Sequence, residues 1–201
     1  MAEKCDTANF VLKTDDDQAV DVYHLPSYLK QFVNNQEPFY LCHQLKGNKP
    51  QRNPEAKWFV TKEEYWKNDY PDYCSGWAHV TNLKTIKIIL KLSENEKYFW
   101  IDDLFVTGIL LEKFPNPIRI YNWRYAFLSD HVQLSEEIFN TSFFSPELMV
   151  ASDIDSKQIQ ILSKKFQSCH RQKCYQLIYQ DESNTNMMRP RLTILNNRQE
   201  L

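Results

Sequence analysis

The sequence of this chain predicts an α/β fold, and two observations carry that prediction. Short apolar runs of strand character alternate with stretches whose apolar residues recur at helical spacing. Two of the strand-like runs also end in acids. Phe10-Val11-Leu12 leads through Lys13 and Thr14 into Asp15-Asp16-Asp17, and Tyr98-Phe99-Trp100-Ile101 leads into Asp102-Asp103. Open α/β sheets bind ligands beyond the carboxyl ends of their strands. Three adjacent carboxylates repel one another, so a strand tip that carries them gains most when a hard, oxygen-preferring divalent cation neutralises them. Two acid clusters behind two such runs suggest one shared site. The plainer alternative is that these acids sit in solvated turns and cap helix N-termini, and the triplet alone does not choose between the two.

Taken in order, residues 1–8 read as the tail of a helix and 10–12 as a strand. Leu25, Leu29, Phe32 and Val33 then fall at helical spacing. Strands are expected over 38–42 and 58–60. Thr61-Lys62-Glu63-Glu64 is a capping box that opens a short helix, which Tyr70-Pro71-Asp72-Tyr73 breaks. A strand over 77–81 and a helix over 83–92 follow. The Asp102 pair opens another helix, running through Gly108 to Phe114, where acids complement the helix dipole. Beyond Pro115 the pattern weakens to a strand over 118–121, a helix over 156–166 and a strand over 174–179. From Gln180 onward the chain is polar and basic, so disorder or a surface tail is expected.

At 201 residues the chain has room for one domain with a real core. Its 24 basic and 26 acidic side chains leave a net charge of −2, which provides no electrostatic grip on nucleic acid or on a membrane surface. The 12 Phe, 11 Tyr and 5 Trp suit a core, and equally a cleft that stacks sugars or bases on ring faces. The 3 glycines, Gly47, Gly76 and Gly108, lie too far apart for a dinucleotide fingerprint or a Walker loop. Gly47 reads as an ordinary turn, whereas Gly76 and Gly108 mark backbone that turns sharply or packs closely. The 5 cysteines form no C-x-x-C pair. Cys169 and Cys174 with His170 give a weak zinc signal, and one disulfide is about as plausible. Asn140-Thr141-Ser142 is an N-glycosylation acceptor sequence. No signal peptide or membrane span is read; the longest aliphatic stretch, 86–92, is interrupted by Lys87 and Lys91.

Three ordered motifs carry a resemblance. They are Lys13-Thr14-Asp15-Asp16-Asp17, then Trp58 with Tyr65 leading into the Tyr70-Pro71-Asp72-Tyr73-Cys74-Ser75-Gly76 loop, then Ile101-Asp102-Asp103-Leu104-Phe105-Val106-Thr107-Gly108. In these, over roughly residues 3–114, the chain resembles the β-1,3-galactosyltransferase family of Golgi glycosyltransferases. The resemblance implies a GT-A-like, Rossmann-like fold. It also implies an inverting hexosyltransferase that moves galactose or N-acetylglucosamine from a UDP-sugar to an acceptor sugar hydroxyl, in β-1,3 linkage, on protein or lipid. Family members are type II membrane proteins facing the Golgi lumen, so a membrane anchor is expected in the full-length form.

Carried over residue by residue, the resemblance makes Asp17 the metal ligand, with manganese as the metal. Lys13, Asp15 and Asp16 fall on the donor side, near the ribose or supporting the turn. Asp103 would be the general base, with Asp102 as the alternative, and Asp103 as a plain helix cap is the bland reading. Trp58, Tyr70, Tyr73 and Gly76 match positions lining the sugar and acceptor cleft, against the alternative of core packing for the aromatic residues. His79 and Cys74 have no assigned chemistry.

Departures from the pattern are also legible. The family's domain begins well upstream of its acidic triplet, and Glu3-Lys4-Cys5 resembles the last turn of its preceding helix. An N-terminally incomplete domain is therefore expected: residues 1–170 as the C-terminal portion of the catalytic domain, 171–201 as a partly disordered extension. A family histidine before Ser-Pro-Glu is replaced in Ser142-Phe143-Phe144-Ser145-Pro146-Glu147, with His131 as a substitute. Trp77-Ala78-His79 stands where glycine and an aromatic are usual, leaving the donor sugar open. The rival reading is a non-catalytic relative that binds a partner enzyme or glycan. A metal-dependent phosphotransferase fits less well, because Lys13 and Thr14 separate the apolar run from the first acid.

Overall fold

A computed structural model describes residues 6–32, 37–116, 118–122, 127–129, 148–172, 175–178 and 191–194. In chain order the elements are β1 (Phe10–Thr14), β2 (Ala19–Val20), α1 (Leu25–Leu29) with a 3-10 turn (Lys30–Phe32), β3 (Phe39–Leu45), β4 (Tyr73–Asn82) and α2 (Leu83–Ser93). These are followed by α3 (Asp102–Leu104), a π-helical segment (Phe105–Ile109), α4 (Leu110–Glu112), β5 (Arg119–Asn122), β6 (Phe127–Ser129), β7 (Val150–Ser152), α5 (Ser156–Gln172), β8 (Tyr175–Ile178) and β9 (Arg191–Ile194). The α/β class read from the sequence is the class observed.

The chain divides into two compact units, one of Met1–Thr14 with Gln36–Asn122 and one of Asp15–Asn35 with Trp123–Leu201. The first unit is built on a mixed four-stranded sheet in the order β1-β4-β3-β5. β4 runs antiparallel to both β1 and β3, whereas β5 is parallel to β3. The β3–β4 register shifts between Cys42, opposite His79, and Gln44, opposite Cys74. Such a shift bends a strand and re-aims its side chains. A disulfide joins Cys42 to Cys74 across the shift, so both thiols are structural.

α2 starts where Asn82 accepts a hydrogen bond from the Thr85 amide at 2.9 Å, a side-chain cap at the end of β4. The run 102–112 is helical throughout but widens into the π segment at its centre. The core of this unit contains Tyr40, Cys42, Val60, Tyr65, Tyr73, Cys74, Ile89, Phe99, Leu104, Phe105 and Leu110. Gly108 belongs to that packing. A Cβ there would meet Leu104, Pro71 and Tyr73 atoms at 3.1 Å each, so the helix approaches the start of β4 more closely than a larger residue would allow without a shift of these neighbours.

Two expected strands are absent. Residues 58–60 are loop, with only an isolated bridge between Gln51 and Phe59. Arg52 is the reason: its guanidinium donates to the carbonyls of Val60, Thr61, Tyr65 and Lys67 at 2.7–3.0 Å, which curls the segment around one cation. The Thr61–Glu64 capping box forms reciprocally, Thr61 N–H to Glu64 at 2.8 Å and Glu64 N–H to Thr61 Oγ1 at 3.2 Å. It closes a single turn that does not propagate into a helix. The aromatic run 98–101 is also loop: Phe99 is buried, whereas Tyr98 is 69 % exposed. Arg52→Ala should lower stability by about 2–3 kcal/mol and open the 53–69 segment to limited proteolysis, measurable by thermal denaturation and by mapping the cleavage sites.

The second unit joins β2, β7 and β6 in a three-stranded sheet, and its core gathers Ala19, Leu148, Ala151, Ile154, Leu162 and Phe166. α5 begins with a reciprocal pair, Asp155 N–H to Gln158 Oε1 and Gln158 N–H to Asp155 Oδ1, each 2.8 Å. It runs to Gln172, beyond the expected end, because Cys169 continues the buried face of Leu162 and Phe166. Cys169 is disulfide-bonded, so it supplies no thiolate to a zinc ion, and His170 stacks on Tyr23 at 4.8 Å. Asp21, buried, is hydrogen-bonded to the His24 ring and accepts from the Tyr23 and His24 amides. Burial pushes its carboxyl up to about 6. β8 and β9 pair antiparallel, so Arg191–Ile194 is strand within the segment expected as a tail. His131, Asn140-Thr141-Ser142 and the Ser-Pro-Glu segment lie outside the described residues.

Candidate active-site cavity

Asp103 stands in the first helical turn after Ile101, which serves as the backbone N-cap without a side-chain bond. The Asp103 carboxylate accepts from the Leu104 amide at 2.7 Å, thereby satisfying one free helix donor. It does more than cap. Across from it, β4 presents Gly76, where a Cβ would lie 3.0 Å from both Asp103 Cβ and Oδ2. A side chain at 76 would displace the carboxylate, so glycine here serves close approach. Thr107 ties the same helix to β4, with Oγ1 donating to the Asp103 carbonyl at 2.7 Å and accepting from the Cys74 amide at 2.9 Å.

Burial pushes the Asp103 carboxyl above its ordinary range and the neighbouring Asp102 adds to this, while the Leu104 and Gly76 amides and the Lys13 ammonium oppose it. Lys13 Nζ donates to the Gly76 carbonyl. The structure therefore groups Lys13 with Gly76 and Asp103. Asp102 is exposed and absent from the lining of the cavity that Asp103 faces.

That cavity has a volume of about 380 Å³ and is lined by Leu45, Asn48, Lys49, Gln51, Trp58, Tyr70, Tyr73, Ile101 and Asp103. Trp58, Tyr70, Tyr73 and Asp103, which the sequence motifs single out, are thus brought to one place. Trp58 is 49 % exposed, so it is not a core residue. Tyr73 is buried and its phenol oxygen accepts from Asn48 Nδ2 at 3.1 Å. Tyr70 Oη is buried with no hydrogen-bond partner, and burial pushes this phenol up to about 12. An unsatisfied buried hydroxyl on a cavity wall is a place for a polar ligand or water.

Asn48, Lys49 and Gln51 escaped sequence reasoning. The Gly47 turn, with its φ of 66°, was legible, but its delivery of Asn48 to Tyr73 is a contact between distant residues with no local signal. Gly76→Ala should slow any reaction that depends on Asp103, because a Cβ 3.0 Å from Asp103 Cβ and Oδ2 makes that carboxylate give by a few tenths of an ångström, a fraction of the roughly 1 Å misplacement that costs about a hundredfold. Turnover measured beside an unchanged circular-dichroism spectrum checks it.

Asp15, Asp16 and Asp17 open the second unit and are exposed. Asp17 Oδ1 accepts from Gln18 Nε2 at 2.5 Å. Among the described residues no group of three or more His, Cys, Asp or Glu side chains gathers as a complete metal cage. This donor set still fits a hard cation that takes one or two protein carboxylates and completes its shell with substrate phosphates. No helix among the described residues is long and apolar enough to cross a membrane.

Similar proteins carry the same segment. The chain is 36% identical over 110 residues to beta-1,3-galactosyltransferase 5 of Pan troglodytes, covering 54% of this chain and 36% of that protein. It is 28% identical over 137 residues to beta-1,3-galactosyltransferase 2 of Mus musculus, covering 64% and 32%. It is 32% identical over 110 residues to lactosylceramide 1,3-N-acetyl-beta-D-glucosaminyltransferase of Xenopus tropicalis, covering 54% and 29%. The aligned part thus spans about a third of the length of these curated relatives. The galactosyltransferase family model matches residues 1–120, which include β1 and its acids, the Tyr70–Gly76 segment and Asp103, and the chain belongs to that family.

Proposed function

We propose that this chain belongs to an inverting hexosyltransferase with a GT-A fold, which moves galactose or N-acetylglucosamine from a UDP-sugar to an acceptor sugar hydroxyl in β-1,3 linkage. The observation that carries this reading is the Asp103 carboxylate, raised by burial, on the wall of a cavity with Trp58, Tyr70 and Tyr73. A general base works best when its pKa lies near the operating pH, and upward tuning brings a carboxylate closer to that condition. Asp103 takes the acceptor hydroxyl proton as that oxygen forms its bond to the anomeric carbon. The anomeric bond to the diphosphate breaks with it, UDP departs and the anomeric configuration inverts. Trp58 packs against sugar C–H groups, and the Tyr70 and Tyr73 hydroxyls orient sugar oxygens.

On the donor side, Asp17 would hold manganese, with Asp15 and Asp16 near the ribose; the metal, when bound, would supply charge neutralisation at the departing diphosphate. Lys13 spans the Gly76 carbonyl and the neighbourhood of Asp103, and its charge opposes the rise that burial imposes on that carboxyl. The names of the relatives support the sugar classes and the β-1,3 linkage. A Golgi-lumenal location accords with the Cys42–Cys74 disulfide, since such bonds persist in oxidising compartments.

The test is calorimetric titration of UDP into the folded chain with and without manganese. The expected result is metal-dependent binding that Asp17→Ala abolishes. A folded chain that binds no UDP in manganese would overturn the donor half of this reading and favour a non-catalytic binding protein.

A further inference from the structure

Trp58 and Trp100 come from separate segments and meet as a stacked pair, ring centroids 5.8 Å apart and planes at 15°. Trp58 is 49 % exposed and Trp100 36 % exposed. Isolated exposed aromatic residues are ordinary, but two indoles stacked at the edge of a cavity form a continuous apolar surface of fixed orientation. Trp58 lines the cavity that Asp103 faces, and Trp100 adjoins Ile101, another of its lining residues. The surface therefore begins inside the cavity and continues out of it. The Lys57 ammonium lies over the Trp58 ring, 4.9 Å from its centroid, which sets a hydrogen-bond donor on the Trp58 side of the pair and leaves Trp100 as the outer apolar surface.

At about 380 Å³ the cavity is at the small end of ligand pockets, which run from about 300 to 1,000 Å³. A sugar chain that places one hydroxyl at Asp103 and is longer than this cavity holds continues outside. A pyranose ring offers one face of C–H groups and a rim of hydroxyls, which matches an indole face bordered by an ammonium donor.

We propose that Trp58 and Trp100 form a second acceptor subsite, a platform for the sugar unit next to the one that reacts, so that this protein selects acceptors of at least two sugars. This rests on the hexosyltransferase reading above and extends it to acceptor choice. Trp58 serves both subsites, whereas Trp100 serves the outer one alone. Trp100→Ala therefore removes the preference for length, whereas Trp100→Phe, which keeps a ring against Trp58, retains it.

The experiment titrates the full chain, with UDP and manganese present, against lactose and methyl β-galactoside, and against N,N′-diacetylchitobiose and methyl N-acetyl-β-glucosaminide. Ligand-observed NMR supplies the affinities. One disaccharide should bind about tenfold tighter than its methyl glycoside, the size expected for an aromatic stacking contact. Trp100→Ala should erase that advantage and leave the methyl glycoside and UDP affinities unchanged, while Trp100→Phe keeps most of it. The platform is overturned if neither disaccharide gains over its methyl glycoside, or if Trp100→Ala leaves the advantage intact or weakens both ligands equally. Transfer assays with UDP-galactose and UDP-N-acetylglucosamine separate the two readings. A disaccharide advantage without transfer sinks the transferase reading and leaves the platform standing; transfer without the advantage sinks the platform alone.

Discussion

Asp103→Asn is expected to cut hexosyl transfer by about 10²–10⁴-fold while leaving UDP binding intact. The amide is nearly isosteric and still accepts from the Leu104 amide, so the helix start and the approach to Gly76 are preserved. What it loses is the ability to receive a proton. Single-turnover transfer beside calorimetric UDP affinity separates the two effects, and equal loss of both would remove Asp103 from its role as base. The pH profile of the unaltered protein gives a second check. Burial raises the Asp103 pKa above 3.8, so its ionised form is lost at a higher pH than for an exposed aspartate. The acidic limb of kcat/KM should accordingly lie above the ordinary carboxylate range. Asp102→Asn, at an exposed position off the cavity, should shift that limb slightly downward by removing a like charge and should keep turnover.

Removing the Cys42–Cys74 disulfide, as the Cys42→Ala/Cys74→Ala double variant, is expected to cost about 4 kcal/mol, from the loop-closure entropy of a separation of 32 residues. Thermal unfolding should drop by roughly 10 °C, given about 2–4 °C per kcal/mol for a chain of this size. The bond lies across the register shift of β3 and β4, immediately before Ser75 and Gly76. Its loss should therefore loosen the strand that faces Asp103 as well as the fold. Scanning calorimetry of the oxidised, reduced and double-variant forms checks this; a fall of only a degree or two would mean that sheet pairing alone holds the shift.

The sequence by itself determined the local features whose causes are local. The apolar run before the acids became β1, Asn82 and the periodic residues after it became α2, and the Asp102 pair opened a helix, because period and capping chemistry act within a few residues. Gly76 and Gly108 read as positions where backbone turns sharply or packs closely, and each has neighbours at 3.0–3.1 Å that would have to give way to a Cβ. The ordered motifs were enough to identify the family, because they preserve residue types in a spacing that chance seldom reproduces.

Tertiary structure alone decided the rest. Residues 58–60 carry a strand-like pattern but find no sheet edge, since Arg52 collects four carbonyls of that segment. The aromatic run 98–101 reads as a strand, yet it places Phe99 in the core and Trp100 against Trp58. The two-residue β2 and three-residue β7 exist through pairing with each other, too short for any period to announce them. Which of the two carboxylates, Asp102 or Asp103, lies on the cavity wall is of the same kind. Adjacent residues on a helix point in different directions, and only the packing of that helix against β4, through Thr107 and Gly76, determines which carboxylate is partly buried on the cavity wall and which faces water.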